Sequence, residues 1–356
     1  MYATAVLVIS DRFASPDLCE FAHGARVPTG CVEILGQSVL EQTVARLRRA
    51  GVQAISVIAG ANPVPVLPGP DLEIAIAGRS VDRWSKATRT LQEHAAQGAE
   101  EVLVIGLGAY TECDVAEALQ FHRTKRNFLT QLQHSQQPLD FWIVNAAAIR
   151  LSACDCTLPF TVDRTLGPYA SYQVKGYVNQ LADARDLRRL AVDVFLARCT
   201  IRPRGQEVRP GIWMDDGAKP HRSARIVAPA YLGRCAKLGP AAVVARFSNV
   251  ERNCHVGGGT VIDSASILAY TSIGRGLDVS HALVDGSEFV DLNRDLAVRI
   301  DDPNLIRSTA PRPWGVSQDQ RERGEPLDTR IAQIEPEYAQ HLSRAAVRLS
   351  VFKGEV

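Results

Sequence analysis

Residues 224–286 read ARIVAPAYLGRCAKLGPAAVVARFSNVERNCHVGGGTVIDSASILAYTSIGRGLDVSHALVDG. An aliphatic side chain recurs at every sixth position: Ile226, Leu232, Leu238, Val244, Val250, Val256, Ile262 and Leu268. Two residues before each stands a small one: Ala224, Ala230, Ala236, Ala242, Ser248, Cys254, Thr260 and Ser266. Glycine often follows the aliphatic, as at Gly233, Gly239 and Gly257. A period of six matches neither the helical nor the strand repeat. It marks stacked coils, in which one coil cannot bury its own apolar side and needs a neighbour. A Val- and Ala-rich antiparallel meander would not hold both positions in register for so long. The expectation is a parallel β-helix over residues 201–300, faint near Val208 and Trp213 and regular from 224. Ile273 comes five residues after Leu268, so a bulge or a looser coil is expected there.

Upstream, residues 5–10 (AVLVIS), 54–59 (AISVIA), 101–105 (EVLVI) and 141–145 (FWIVN) are short apolar runs, the mark of strands buried on both faces. Residues 72–77 and 174–178 are further strand candidates. Helical patterns lie between them. Ser38 and Glu41 form a capping box ahead of Leu40, Val44 and Leu47. A second helix is expected over 83–97, a third capped by Asp114 with Glu117, and a fourth over 185–197. Strands alternating with helices predict an α/β fold with a parallel sheet. The division expected is an α/β unit over 1–200, coils over 201–300, and over 301–356 a connector and a last helix holding Tyr338, Leu342, Ala345 and Leu349.

The chain has 356 residues, 46% hydrophobic and 22% charged, with a net charge of +1. This balance suits a globular protein and gives no overall cationic footprint for nucleic acid. No apolar run is long enough to span a bilayer, and residues 1–13 lack a basic segment before their apolar run, so a cytoplasmic protein is expected. Eight cysteines form no C-x-x-C pair, and Cys154 and Cys156 are too close for a zinc knuckle; reduced, buried thiols are expected.

The order of these segments resembles the sugar-1-phosphate nucleotidyltransferases that carry a C-terminal hexapeptide-repeat β-helix. Residues 32–47 (VEILGQSVLEQTVARL), ending at Ala50-Gly51-Val52, look like that family's stretch before its "A-G-V". Residues 102–106 with Thr111, Asp114, Phe121 and His122 look like its "V-L-V-x-N-G-D…T-D-x-D-L…F-H". Gly176-Tyr177 followed by Asp186 looks like its "G-Y-W-x-D-x-G-T" region. The resemblance implies a Rossmann-like sheet, a left-handed coil, and a site binding a nucleoside triphosphate with Mg²⁺.

At that site the chain departs from the family. Asp11 and Arg12 stand where the family has a glycine-rich phosphate loop, and Thr29 where it has a lysine. Gly108 and Gln180 stand where it has two metal-binding aspartates. Nucleotidyl transfer needs amides around the triphosphate, a cation on it and carboxylates on the metal. These departures point to a non-catalytic scaffold, regulatory subunit or sugar-nucleotide sensor. A sugar nucleotide or sugar phosphate is the expected ligand, and a homo-oligomer or a hetero-oligomer with an active homologue the expected assembly. No catalytic residue and no cofactor are assigned. Two alternatives stay open: an active nucleotidyltransferase with rearranged ligands, which would use Mg²⁺, and a hexapeptide acyltransferase with His255 or His281 as base.

Overall fold

The computed structural model describes residues 2–9, 28–59, 72–76, 83–146, 149 and 168–310. The expected connector and last helix beyond residue 310 lie outside the described residues. Strands β1 (Ala3–Val8), β2 (Ala54–Ala59), β3 (Leu72–Ile76), β4 (Glu101–Gly106), β5 (Leu129–His134), β6 (Gln137–Asn145) and β7 (Tyr169–Gln173) form one sheet in the order β7-β5-β6-β4-β1-β2-β3. Its neighbours pair in parallel except β6, which runs antiparallel to β4 and β5. Helix α1 (Val39–Arg49) and α3 (Val115–Lys125) pack on the face of Ala5, Leu7 and Leu103. Helix α2 (Arg83–Ala96) packs on the face of Val6, Val8 and Val104. Alternate residues of one run thus serve opposite layers, which is why the central strands read as unbroken apolar runs.

The helix starts agree with their sequence signals. The Ser38 hydroxyl accepts from the Glu41 amide while the Glu41 carboxylate accepts from Ser38 N. Asp114 accepts from Glu117 N in the same way. Strands β5 and β7 escape the run criterion because their alternate residues, such as Gln131 and Ser171, are polar. Residues 174–178 supply only the start of a short strand, Val178–Asn179, which pairs with Tyr110–Thr111.

From residue 212 the strands cycle through three sheets. Ile212–Met214, Ala230–Leu232 and Ser248–Val250 share one; Lys219–Pro220, Lys237–Leu238 and His255–Val256 a second; Arg225–Ile226, Val243–Ala245 and Val261–Asp263 a third. All pair in parallel with the strand one coil on: Ala230 lies beside Ser248 and Val243 beside Val261. Ile226, Leu232, Leu238, Val244, Val250, Val256 and Ile262 all point into one core, with Ala230, Ala236, Ala242 and Cys254 among them. Both ends are closed by antiparallel strands, Gln206–Arg209 at the start and Glu288–Asp291, Leu296–Arg299 and Ile306–Ser308 at the finish. Such closure protects strand edges.

One register assignment needs correction. Asn249 pairs with Ser266 and Val250 with Ile267, so one residue is lost at the corner around Ser264. Ile267 is therefore the inward residue of that coil and Ala265 its small partner. Leu268 faces outward, into a cluster with helix α4 (Ala184–Phe195). The slip thus lies before Leu268, and Ile273 follows Ile267 at the regular six.

That cluster joins the two halves. Ile34, Leu35 and Tyr110 from the α/β sheet side, Leu187 and Leu190 from α4, and Tyr231, Leu268 and Leu283 from the coils bury one another. At its rim the Glu251 side chain, fully buried, accepts from Leu35 N at 2.8 Å, Gly36 N at 3.0 Å and Asn249 Nδ2 at 2.7 Å. Gly36 has φ +81°, and a Cβ there would collide with the Tyr231 hydroxyl. Arg252 adds an ion pair to Glu33 at 3.0 Å. Among the described residues no helix is long and apolar enough to cross a membrane.

Burial pushes the Glu251 carboxyl from its ordinary 4.5 up to about 8, against the pull of Asn249 and the two amides. The folded chain therefore holds a proton that the unfolded chain releases between these values, and stability falls as pH rises through that window. The stability advantage of wild type over Glu251→Gln in thermal melts is expected to be larger at pH 5.5 than at pH 8.5; a constant difference would refute this. Ile267→Ala is expected to cost about 2–5 kcal/mol in urea unfolding, as a core truncation does.

Candidate functional site

In an open α/β sheet the ligand crevice lies at the carboxyl ends of the strands, where the strand order reverses. Here the order reverses between β1 and β4. Their ends are tied together, with Leu107 N donating to Val8 O at 2.8 Å. Asp11 and Arg12, which follow β1, lie outside the described residues. Thr29 is described: it opens a short 3-10 turn, Thr29–Cys31, and is buried. The next residue, Gly30, sits against the turn after β4, where an added Cβ would lie 2.8 Å from Leu107 Cβ. Burial, then Glu41, pushes the Cys31 thiol up to about 12, so it stays protonated and unreactive.

Gly108 lies half-buried in the turn after β4. Gln180 is exposed, just beyond Val178–Asn179. Val178 pairs with Thr111 and Asn179 with Tyr110, and Gly108 and Gln180 both lie just outside these paired strands. Neither carries a carboxylate, so their side chains are not a donor set for Mg²⁺. Among the described residues no three His, Cys, Asp or Glu side chains are grouped to hold a metal ion.

The carboxylate closest in sequence to Gly108 is committed elsewhere. Glu112 Oε1 accepts from the Tyr110 hydroxyl at 2.6 Å and from the Thr200 hydroxyl at 2.6 Å, with Thr200 N as a third donor. Arg46 of α1 donates to Thr111 O and, at 3.0 Å, to the Tyr110 hydroxyl, and stacks over the Tyr110 ring at 5.3 Å. Burial, above all, raises the Tyr110 phenol, so it acts as a fixed donor to Glu112. Asp114 is the α3 cap.

Beside this network a small open cleft lies between α1, the end of β4 and the start of β6. Thr43, Arg46, Gly106, Ala109, Asp140 and Phe141 line it. Gly106 lets Asp140 come close, since a Cβ would lie 2.8 Å from Asp140 Cβ. The Arg46 guanidinium at its edge is held by Thr111 O and the Tyr110 hydroxyl. Sequence reasoning missed Asp140 and Arg46. Asp140 sits at an alternate position of a strand legible only from its apolar end, and Arg46 reads in the sequence as a helix-dipole partner.

No family model matches the chain, and no curated protein matches it. Among solved structures, a putative glucose-1-phosphate thymidylyltransferase from Bacillus anthracis, in complex with a sucrose, is similar at a TM-score of 0.44 and 10% identity. The match covers 56% of this chain and 96% of that one.

Glu112→Ala strands the Tyr110 hydroxyl and both Thr200 donors. It is expected to cost about 2 kcal/mol in urea unfolding; a loss below about 0.5 kcal/mol would show the network to be idle.

Proposed function

We propose that this chain is a sugar-phosphate nucleotidyltransferase-like protein that binds its ligand without transferring a nucleotide. Its first unit, residues 1–200, takes a sugar nucleotide or sugar phosphate in the crevice at the ends of β1 and β4. Its coils, residues 201–300, wind as a left-handed parallel β-helix of hexapeptide repeats and assemble copies of the chain, or the chain with an active homologue, as a scaffold or sensor in polysaccharide-precursor metabolism. One observation supports this reading above the rest. Gly108 and Gln180, which flank the paired strands Tyr110–Thr111 and Val178–Asn179, have no charge to offer a metal. The surrounding framework is kept, with Glu112 and Arg46 bonded to the protein itself. Preorganised charge supplies most of the rate in phosphoryl and nucleotidyl chemistry, so a site without it binds and does not react.

Calorimetric titration with hexose 1-phosphates, nucleoside triphosphates and nucleotide sugars, each with and without Mg²⁺, tests the proposal. A nucleotide sugar or sugar phosphate is expected to bind equally well in both conditions, with no pyrophosphate released from any triphosphate and hexose 1-phosphate pair. Mg²⁺-dependent release of pyrophosphate would overturn it in favour of an active enzyme.

A further inference from the structure

The three coil faces differ in what they show to the outside. The eight-stranded face packs against α4 and the segment around Leu35, through Tyr231, Leu268 and Leu283. The five-stranded face sets Lys219, Lys237, His255, Ser272 and Arg307 beside one another, a column with cations and no acid. The four-stranded face has another layout. Ile226, Val244, Ile262 and Val279 point into the core, so the residue before each points outward. These outward residues are Arg225, Val243, Val261 and Asp278, each directly beside the next in successive coils. Arg225 and Asp278 are exposed and the two valines half-buried.

The column therefore reads cation, aliphatic, aliphatic, anion. Arg225 and Asp278 stand three rungs apart, roughly 14 Å, too far to pair within one chain. Among the described residues neither has an ion-pair partner. Asp278 accepts from the Ser280 hydroxyl two residues on. Val227 and Ala245 widen the apolar middle on the other side of the inward residues, and Val227 is 37% exposed. The acid that follows Ala245 in that second column, Asp263, is already paired with Arg246. Among the described residues, Val227, Val243, Ala245 and Val261 join none of the four core clusters.

We propose that the four-stranded face is a two-fold contact between copies of this chain, with their coils running antiparallel. A two-fold axis lying in this face, parallel to its strands, turns the second coil end for end. Arg225 then meets Asp278 of the partner subunit, and Val243 meets Val261 of the partner subunit, each contact being made twice. The layout is thus complementary to itself once reversed, which fits a second copy of this chain. Copies with parallel coils, in a two-fold or a three-fold arrangement, would set each rung against itself and bring Arg225 to Arg225 and Asp278 to Asp278. Four rungs make a small contact, so the dimer is reversible. The inference rests on the reading that the coils assemble copies of the chain, and it names the face and the arrangement.

Sedimentation equilibrium of the full chain over a concentration series tests it, with wild type, Arg225→Asp, Asp278→Arg and the double variant that exchanges the two charges. Wild type is expected to pass from monomer to dimer as concentration rises. Each single variant should dimerise about tenfold more weakly or worse, because it places like charges together at both ends of the contact. The double variant should return to within about threefold of wild type, since the pair is restored with its signs exchanged. Both positions are exposed, and thermal melts matching wild type confirm that the variants fold. Self-association that neither single reversal weakens, or that the double exchange does not recover, would overturn the antiparallel contact and leave the assembly reading standing. A monomer at every concentration would overturn both the contact and the assembly of copies.

Discussion

A single buried carboxyl group sets the relation between the two halves of this protein. Glu251 leaves the coil core directly after the inward Val250 and takes the amides of Leu35 and Gly36 from the first unit. Backbone donors so far from water must be paired, and a carboxyl so far from water needs several donors. Each side therefore supplies what the other lacks. Leu35 and Gly36 both have positive φ, and both their amides donate to the Glu251 carboxyl. Around this point the Tyr231, Leu268 and Leu283 cluster excludes solvent, and Arg252 with Glu33 closes the edge.

The consequence reaches the crevice. The segment from Val32 to Ser38 connects the Thr29–Cys31 turn, which sits against Leu107, to α1, and α1 carries Arg46 to the Tyr110 and Glu112 network. Thr200, at the start of the run into the coils, closes that network from the far side. The cleft between α1 and β6 is thus built on parts that the coils hold in place.

Much of the fold is legible in the sequence because it obeys periodic rules. The inward positions from Ile226 to Ile262 follow from the period of six, the buried strands from their apolar runs, and two helix starts from Ser38 and Asp114. The register beyond Ile262 does not follow, because Ile267 and Leu268 are both aliphatic and Ala265 and Ser266 both small. Losing one residue at a corner leaves the local pattern equally plausible either way. Strands β5 and β7 are hidden by their polar alternate residues. At the site, the sequence alone marks Gly108 and Gln180 as lacking carboxylates, while the pairing of the two short strands they flank is not legible in it. Asp140 and Glu251 cannot be found this way. Their roles depend on Gly106 and on Leu35, residues distant in sequence, and nothing local distinguishes them from surface acids.

If Glu251 holds the two units as one body, the amides of Leu35 and Gly36 should open only when that junction does. Hydrogen–deuterium exchange of these two amides measures this directly. The account predicts protection comparable to that of the coil-core amides around Val250, and a marked loss of it in Glu251→Gln with the coil core unchanged. Exchange at the rate of an ordinary surface turn in the wild-type chain would contradict it.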